Sequence, residues 1–214
     1  MRRFLIALLL TLTGVSGAAA SGPLPYGPSL SFIAYRNGEP IGRHTVTFER
    51  EGGQLKVTTS IDLAVKFVGF TAYRYTHRAQ EVWSGASLVS LVSQTDDNGT
   101  KHNVKATREA NDIAVTHNGG RTVLPQQTLP SSHWNIDQVR QTVLLNTQKG
   151  TEARVKITPG ARELIKTASG TIPATRYSYT GDVVMDQWFD DQGRWVKTSF
   201  KASDGSTIEY ILQG

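Results

Sequence analysis

Between Gln54 and Phe67 the chain alternates apolar and polar residues, and no other stretch constrains the fold as much. Leu55, Val57, Thr59, Ile61, Leu63, Val65 and Phe67 fall on one side; Gln54, Lys56, Thr58, Ser60, Asp62, Ala64 and Lys66 fall on the other. Successive side chains of a strand point to opposite faces, so the pattern predicts a long strand with one wet face and one buried face. A helix would scatter these charges into a core.

Turn residues repeat at short intervals around that strand. Asn37-Gly38, Gly52-Gly53, Asn98-Gly99, Gly119-Gly120, Gln192-Gly193 and Asp204-Gly205 separate β-prone stretches, and glycine after Asn or Asp accepts the positive φ of tight hairpins. The expected strands are 29–36, 40–50, 54–67, 70–83, 87–95, 101–108, 112–117 and 121–125. After an interruption come 152–158, 161–168, 172–180, 183–190, 194–202 and 206–212. Strands joined by such short turns run antiparallel. The expectation is a mainly β chain: one large curved antiparallel meander, an open or half-closed barrel. In the interruption, Asn135 can cap a helix, with Gln138 three residues on, and Ile136, Val139 and Val143 share a face; one short α-helix is expected near 135–146.

The first twenty residues read as a secretory signal: Arg2 and Arg3, an apolar run from Phe4 to Leu12, and Ala18-Ala19-Ala20 before a cleavage point between Ala20 and Ser21. The run is too short to span a bilayer in comfort, and the polar context of a twin-arginine signal is missing. Ser21 to Pro28 is punctuated by Pro and Gly and reads as a flexible tether; 29–214 then forms a single β-rich domain. The expected product is exported, periplasmic or secreted, and without a stable membrane anchor. No cysteine is present, which excludes disulfides, thiolate metal sites and a cysteine nucleophile. Beyond the leader, 21 basic face 18 acidic side chains, a surplus of three without clustering. That excludes the basic face of a nucleic-acid binder.

Motifs for chemistry are sparse. Histidines 44, 77, 102, 117 and 133 lack metal-site spacing, so neither metal nor cofactor is expected. Gly-x-Ser-x-Gly, His-Glu-x-x-His and phosphate-loop patterns are absent. Asp96-Asp97 and Asp190-Asp191 precede turn glycines, where aspartate stabilises the bend. Tyr73, Tyr75, His77, Glu81 and Trp83 share one face of a strand, and Trp188, Phe189 and Trp195 form a second aromatic group. Such residues pack across strands or line a pocket for an amphiphile. Tyr73, Tyr75, His77, His133, Trp134 and Trp188 are the candidate ligand-binding residues.

Ile41 to Phe48, Tyr73 to Arg78, Thr95 to Gly99, Trp134-Asn135, Leu145 to Gln148, Trp188 to Val196 and Asp204 to Tyr210 together resemble a bacterial exported family, domain of unknown function 6134. The resemblance covers nearly the whole chain after the leader and implies an exported bacterial protein; it carries over no catalytic residue. The layout is also similar to periplasmic carriers with a half-barrel sheet and a helical lid. Three functions follow as expectations. The first is a non-enzymatic envelope protein holding a hydrophobic or amphiphilic small molecule. The second is a hydrolase of envelope material using His77 or His133 with a carboxylate. The third is a protein-interaction module or structural scaffold, which would need a long unpaired edge.

Overall fold

The computed structural model describes residues 26–213. The leader, its cleavage point at Ala20 and Ser21, and the tether up to residue 25 lie outside the described residues. Eight strands follow one another as a meander: β1 (Ser29–Arg36), β2 (Glu39–Glu51), β3 (Gln54–Phe67), β4 (Phe70–Ser84), β5 (Ser87–Asp97), β6 (Thr100–Arg108), β7 (Asp112–His117) and β8 (Gly120–Pro125). The second group is β9 (Leu129–Pro130), β10 (Val143–Leu145), β11 (Glu152–Thr167), β12 (Gly170–Gly181), β13 (Met185–Asp190), β14 (Trp195–Lys201) and β15 (Thr207–Leu212). All fifteen form one sheet in the order 8-7-6-5-4-3-2-1-15-14-13-12-11-10-9.

The two groups join through their outer ends of sequence. β1 pairs antiparallel with β15, Phe32 opposite Leu212 and Arg36 opposite Ile208. The two sheet edges, β8 and β9, are therefore neighbours in sequence, separated only by residues 126–128. The sheet curls back toward itself and leaves a seam between these edges. Every ladder is antiparallel except β9 with β10, which is parallel.

Alternation sets the inner face as predicted. Leu55, Val57, Thr59, Ile61 and Leu63 of β3 are buried, together with His44, Val46 and Phe48 of β2 and His77, Ala79, Glu81 and Trp83 of β4. The pattern fails at the end of β3, where Phe67 is 73% exposed at a hairpin tip. The concave side is filled: Trp195 stacks on Phe32 with ring centroids 3.7 Å apart, and Trp134 meets Phe48 and Trp83 edge-on at 5.5 and 5.4 Å.

Three expectations need correction. The helix near 135–146 is a 3-10 helix, Ile136–Arg140, and residues 143–145 become β10 instead. Asn135 does cap it, accepting from the Asp137 backbone N–H. However, pairing of Val143–Leu145 with β11 and with Leu129 satisfies more backbone than another helical turn. Residues 152–158 and 161–168 are one strand, because Pro159-Gly160 is absorbed as a bulge against β12. Finally, Tyr26, expected within the tether, belongs to the core. That ring is buried, stacks on Phe48 at 5.0 Å and donates its hydroxyl to the carbonyl oxygens of Trp134 and Gly193.

Candidate functional site

The chemistry-bearing residues of the inner face meet around the segment 131–138, which runs between the two strand groups. Glu81 is 1% exposed, and its Oε2 accepts from the indole N–H groups of Trp83 at 2.8 Å and Trp134 at 3.1 Å. Burial pushes its carboxyl above the ordinary range, while the Ser132 hydroxyl beside it and the two indoles pull the other way. Ser132 completes no well-formed hydrogen bond, and Glu81 Oε1 has no partner.

His133 is the chain neighbour of Trp134, whose indole binds that acid. Its ring stacks on Trp195 at 5.1 Å, its backbone sits at φ 68°, and its carbonyl accepts from Gln138 Nε2 at 3.1 Å and Gln187 Nε2 at 2.7 Å. His44 stands 6.0 Å away, edge-on to Trp195 and Tyr210, with neither ring nitrogen hydrogen-bonded. His77 Nδ1 pairs with Thr95 Oγ1 at 2.7 Å. Burial depresses all three imidazoles, His77 and His133 to about 4 and His44 in the same direction. Burial thus favours the neutral imidazole at all three histidines and shifts the Glu81 carboxyl toward its protonated form.

Hydrolysis needs a base within reach of a substrate and oriented by a partner. His77 bonds a threonine, and neither His77 nor His133 forms a hydrogen bond with a carboxylate. Both are buried, and neither lines the grooves of about 380 and 340 Å³ described below. What these groups do is hold the segment 131–138 inside the sheet: the indole bonds to Glu81 fix Trp134, and the amides of Gln138 and Gln187 fix the backbone at His133.

The six candidate ligand residues do not converge on a hollow. His77, His133 and Trp134 belong to the packed interior. Tyr75 donates to Gln148 Oε1 at 3.3 Å and Tyr73 to Asp97 Oδ1 at 2.7 Å, both near one end of β4. Trp188 is elsewhere, in a separate small cluster with Ile165, Ala174 and Val196. Its indole donates to Glu163 at 3.1 Å, and Lys197 Nζ lies 5.1 Å from its ring.

The open volume lies at the seam instead. A cleft of about 380 Å³ has Leu88 and Leu129 at its base and Arg108, Gln126, Asp137 and Arg140 around it. Arg108 is locked by its bonds to the carbonyls of Leu88 at 2.7 Å and Gln126 at 2.9 Å. Arg140 pairs with Asp137 at 2.9 Å on the 3-10 helix and has a side chain 79% exposed. Sequence reasoning missed these residues, because only the closure of the sheet brings β6, the 126–129 link and the helix together. A shallower groove of about 340 Å³ runs along β5 to β7 past Val92, Asn103 and Thr116.

Among the described residues no group of three His, Asp or Glu side chains could hold a metal, and no helix is long and apolar enough to cross a membrane. The terminal strands β8 and β9 are six and two residues long, whereas β10 pairs with β11 only over Glu152–Arg154 and leaves the rest of that flank of β11 without a strand neighbour among the described residues.

The sequence matches a family described as domain of unknown function (DUF6134) over residues 32–213. No curated protein matches the chain. Among solved structures, it is similar to a β-barrel-like protein of domain of unknown function DUF1849 from Brucella abortus, with a TM-score of 0.61 and 11% identity. The similarity covers 86% of this chain and 94% of that one, and at this identity it speaks for the fold alone.

Proposed function

The chain belongs to the DUF6134 family, and we propose that it is an exported bacterial envelope protein that binds an amphiphilic small molecule at the seam of its sheet rather than an enzyme. The signal-like leader Arg2 to Ala20 supports export to the periplasm or beyond. The seam cleft carries the binding reading. Its volume of about 380 Å³ falls within the range of small-molecule sites, and it sets two leucines against two arginines and several amides. An apolar body can lie over Ala86 and the methylene stems of Gln127 and Arg140, above the buried Leu88 and Leu129, while a polar or anionic head meets the Arg140 guanidinium, which reaches solvent. The location differs from the one alternation suggests. A concave face packed with Trp83, Trp134 and Trp195 leaves a guest only the rim.

Native mass spectrometry after gentle purification, together with displacement of a fluorescent fatty-acid probe, tests this. The expected result is one bound amphiphile per chain. Ala86→Trp, which fills the mouth of the cleft, should abolish it while leaving thermal unfolding unchanged. A chain that takes up neither probe nor adduct, or an Ala86→Trp variant that binds as before, overturns the reading.

A further inference from the structure

The β3–β4 hairpin outruns its neighbours. The last ladder pair of β3 with β2 is Leu63 with Gly42, and that of β4 with β5 is Tyr75 with Asp97. Beyond those pairs, β3 and β4 continue together through Val65↔Tyr73 and Lys66↔Thr71 to Phe67↔Phe70. At about 3.3 Å per residue this finger extends roughly 13 Å past Leu63. Its end is apolar: Phe67, Val68 and Phe70 are 73%, 78% and 80% exposed.

The turn itself shows that this apolar tip is not a by-product of folding. Asn37-Gly38, Gly52-Gly53, Val68-Gly69 and Asn98-Gly99 have the same backbone, with φ values of 50° and 88°, 55° and 79°, 47° and 81°, and 49° and 94°. That geometry favours Asn-Gly or Gly-Gly, and the chain uses one of these at three of the four turns. At the remaining one it places a β-branched residue in the left-handed region, where such residues are outliers. Val68 is also exposed, so burial offsets none of that strain.

The charge around the tip selects what could cover it. Lys66 and Arg74 flank the apolar residues, and neither is in an ion pair among the described residues. The finger itself carries no acidic residue between Asp62 and Glu81, and Asp97 at its base is taken up by the Tyr73 hydroxyl at 2.7 Å. Three large apolar side chains gathered at a point, with cations set behind them, suit shallow entry into an anionic lipid surface. A protein groove would instead be matched by an apolar row along one face.

We propose that the β3–β4 finger docks this protein on an anionic membrane surface by inserting Phe67, Val68 and Phe70. The contact is peripheral and separate from the seam cleft. Flotation with phosphatidylcholine vesicles, with or without phosphatidylglycerol, tests it on the chain from Ser21 onward, so that the apolar leader contributes nothing. This form contains every described strand. Binding should require phosphatidylglycerol and weaken with salt. Lys66→Gln should lower it about fivefold, and Phe67→Ser with Phe70→Ser at least about tenfold. Val68→Asn is the decisive variant: it restores the favoured turn, so thermal stability should hold or rise while vesicle affinity falls about threefold. Failure of the wild-type chain to float with anionic vesicles, or equal flotation of the Val68→Asn and Phe67→Ser/Phe70→Ser variants, overturns the proposal.

Discussion

Acid should loosen this protein well before its carboxylates are titrated. Burial holds His77 and His133 at about 4 instead of the ordinary 6.5. A base with a depressed pKa stays neutral when folded and takes up a proton on unfolding once the pH drops below 6.5. Its contribution to stability is therefore complete above about pH 6.5 and is lost as the pH falls toward 4. Below 4 the folded form protonates too. A depression from 6.5 to about 4 is worth about 3 kcal/mol in full, of which about 2 kcal/mol is lost between pH 7.5 and pH 5.

For His77 and His133 together the loss by pH 5 is about 3–4 kcal/mol, slightly less than twice the single value because repulsion between them contributes to the depression at His77. His44, depressed in the same direction, adds to it. Glu81 works against them. Its raised carboxyl releases a proton on unfolding above about 4.5, so its share of stability falls as pH rises. Against a total of about 5–15 kcal/mol the loss at the histidines is a sizeable share.

Urea unfolding followed by tryptophan fluorescence between pH 7.5 and 4.5 measures the slope, with Trp195 as a reporter stacked on His133. His133→Asn suits the φ of 68°, and combined with His77→Gln it should at least halve the pH dependence whatever it costs at neutral pH. A stability at pH 5 within about 1 kcal/mol of that at pH 7.5, or an unchanged slope in the double variant, refutes the reasoning.

Three further substitutions probe the framework. Gly42→Ala places a Cβ 1.9 Å from the Asp62 carbonyl oxygen at φ 154°, so β2 and β3 must separate at the base of the finger; a loss of about 3 kcal/mol or more is expected in denaturant unfolding. Tyr26→Ala should cost about 3 kcal/mol, since the ring is core despite its Pro-rich surroundings, whereas a true tether residue would cost nothing measurable. Glu81→Gln keeps an acceptor for the two indoles but removes the opposing carboxyl, so acid sensitivity between pH 5 and 6.5 should steepen in the same urea series.

The long strands were legible because their sides are chemically distinct. Leu55 to Leu63 could point inward only one way, and Asn37-Gly38 and Asn98-Gly99 announced their turns. Leu129-Pro130 and Val143–Leu145 are too short to show a period, and their pairing depends on each other and on β11. Ile136, Val139 and Val143 have helical spacing, yet that ladder claims Val143 and ends the helix at Arg140. The polar interior had one readable sign: His44, His77 and Glu81 share the parity of buried neighbours such as Val46, Ala79 and Trp83. Their meeting with His133 could not be read, since closure of the sheet creates it. The seam cleft was hidden for the same reason.

The β1–β15 ladder also governs when the molecule can be completed. Arg36 and Ser206 touch across 170 residues. A chain delivered from its N-terminus can form each local hairpin as it appears, but Ser29–Arg36 keeps one bare flank until the last dozen residues arrive. Contacts so remote in sequence make folding slow. The final strand acts as a latch, and nothing earlier in the chain can stand in for it.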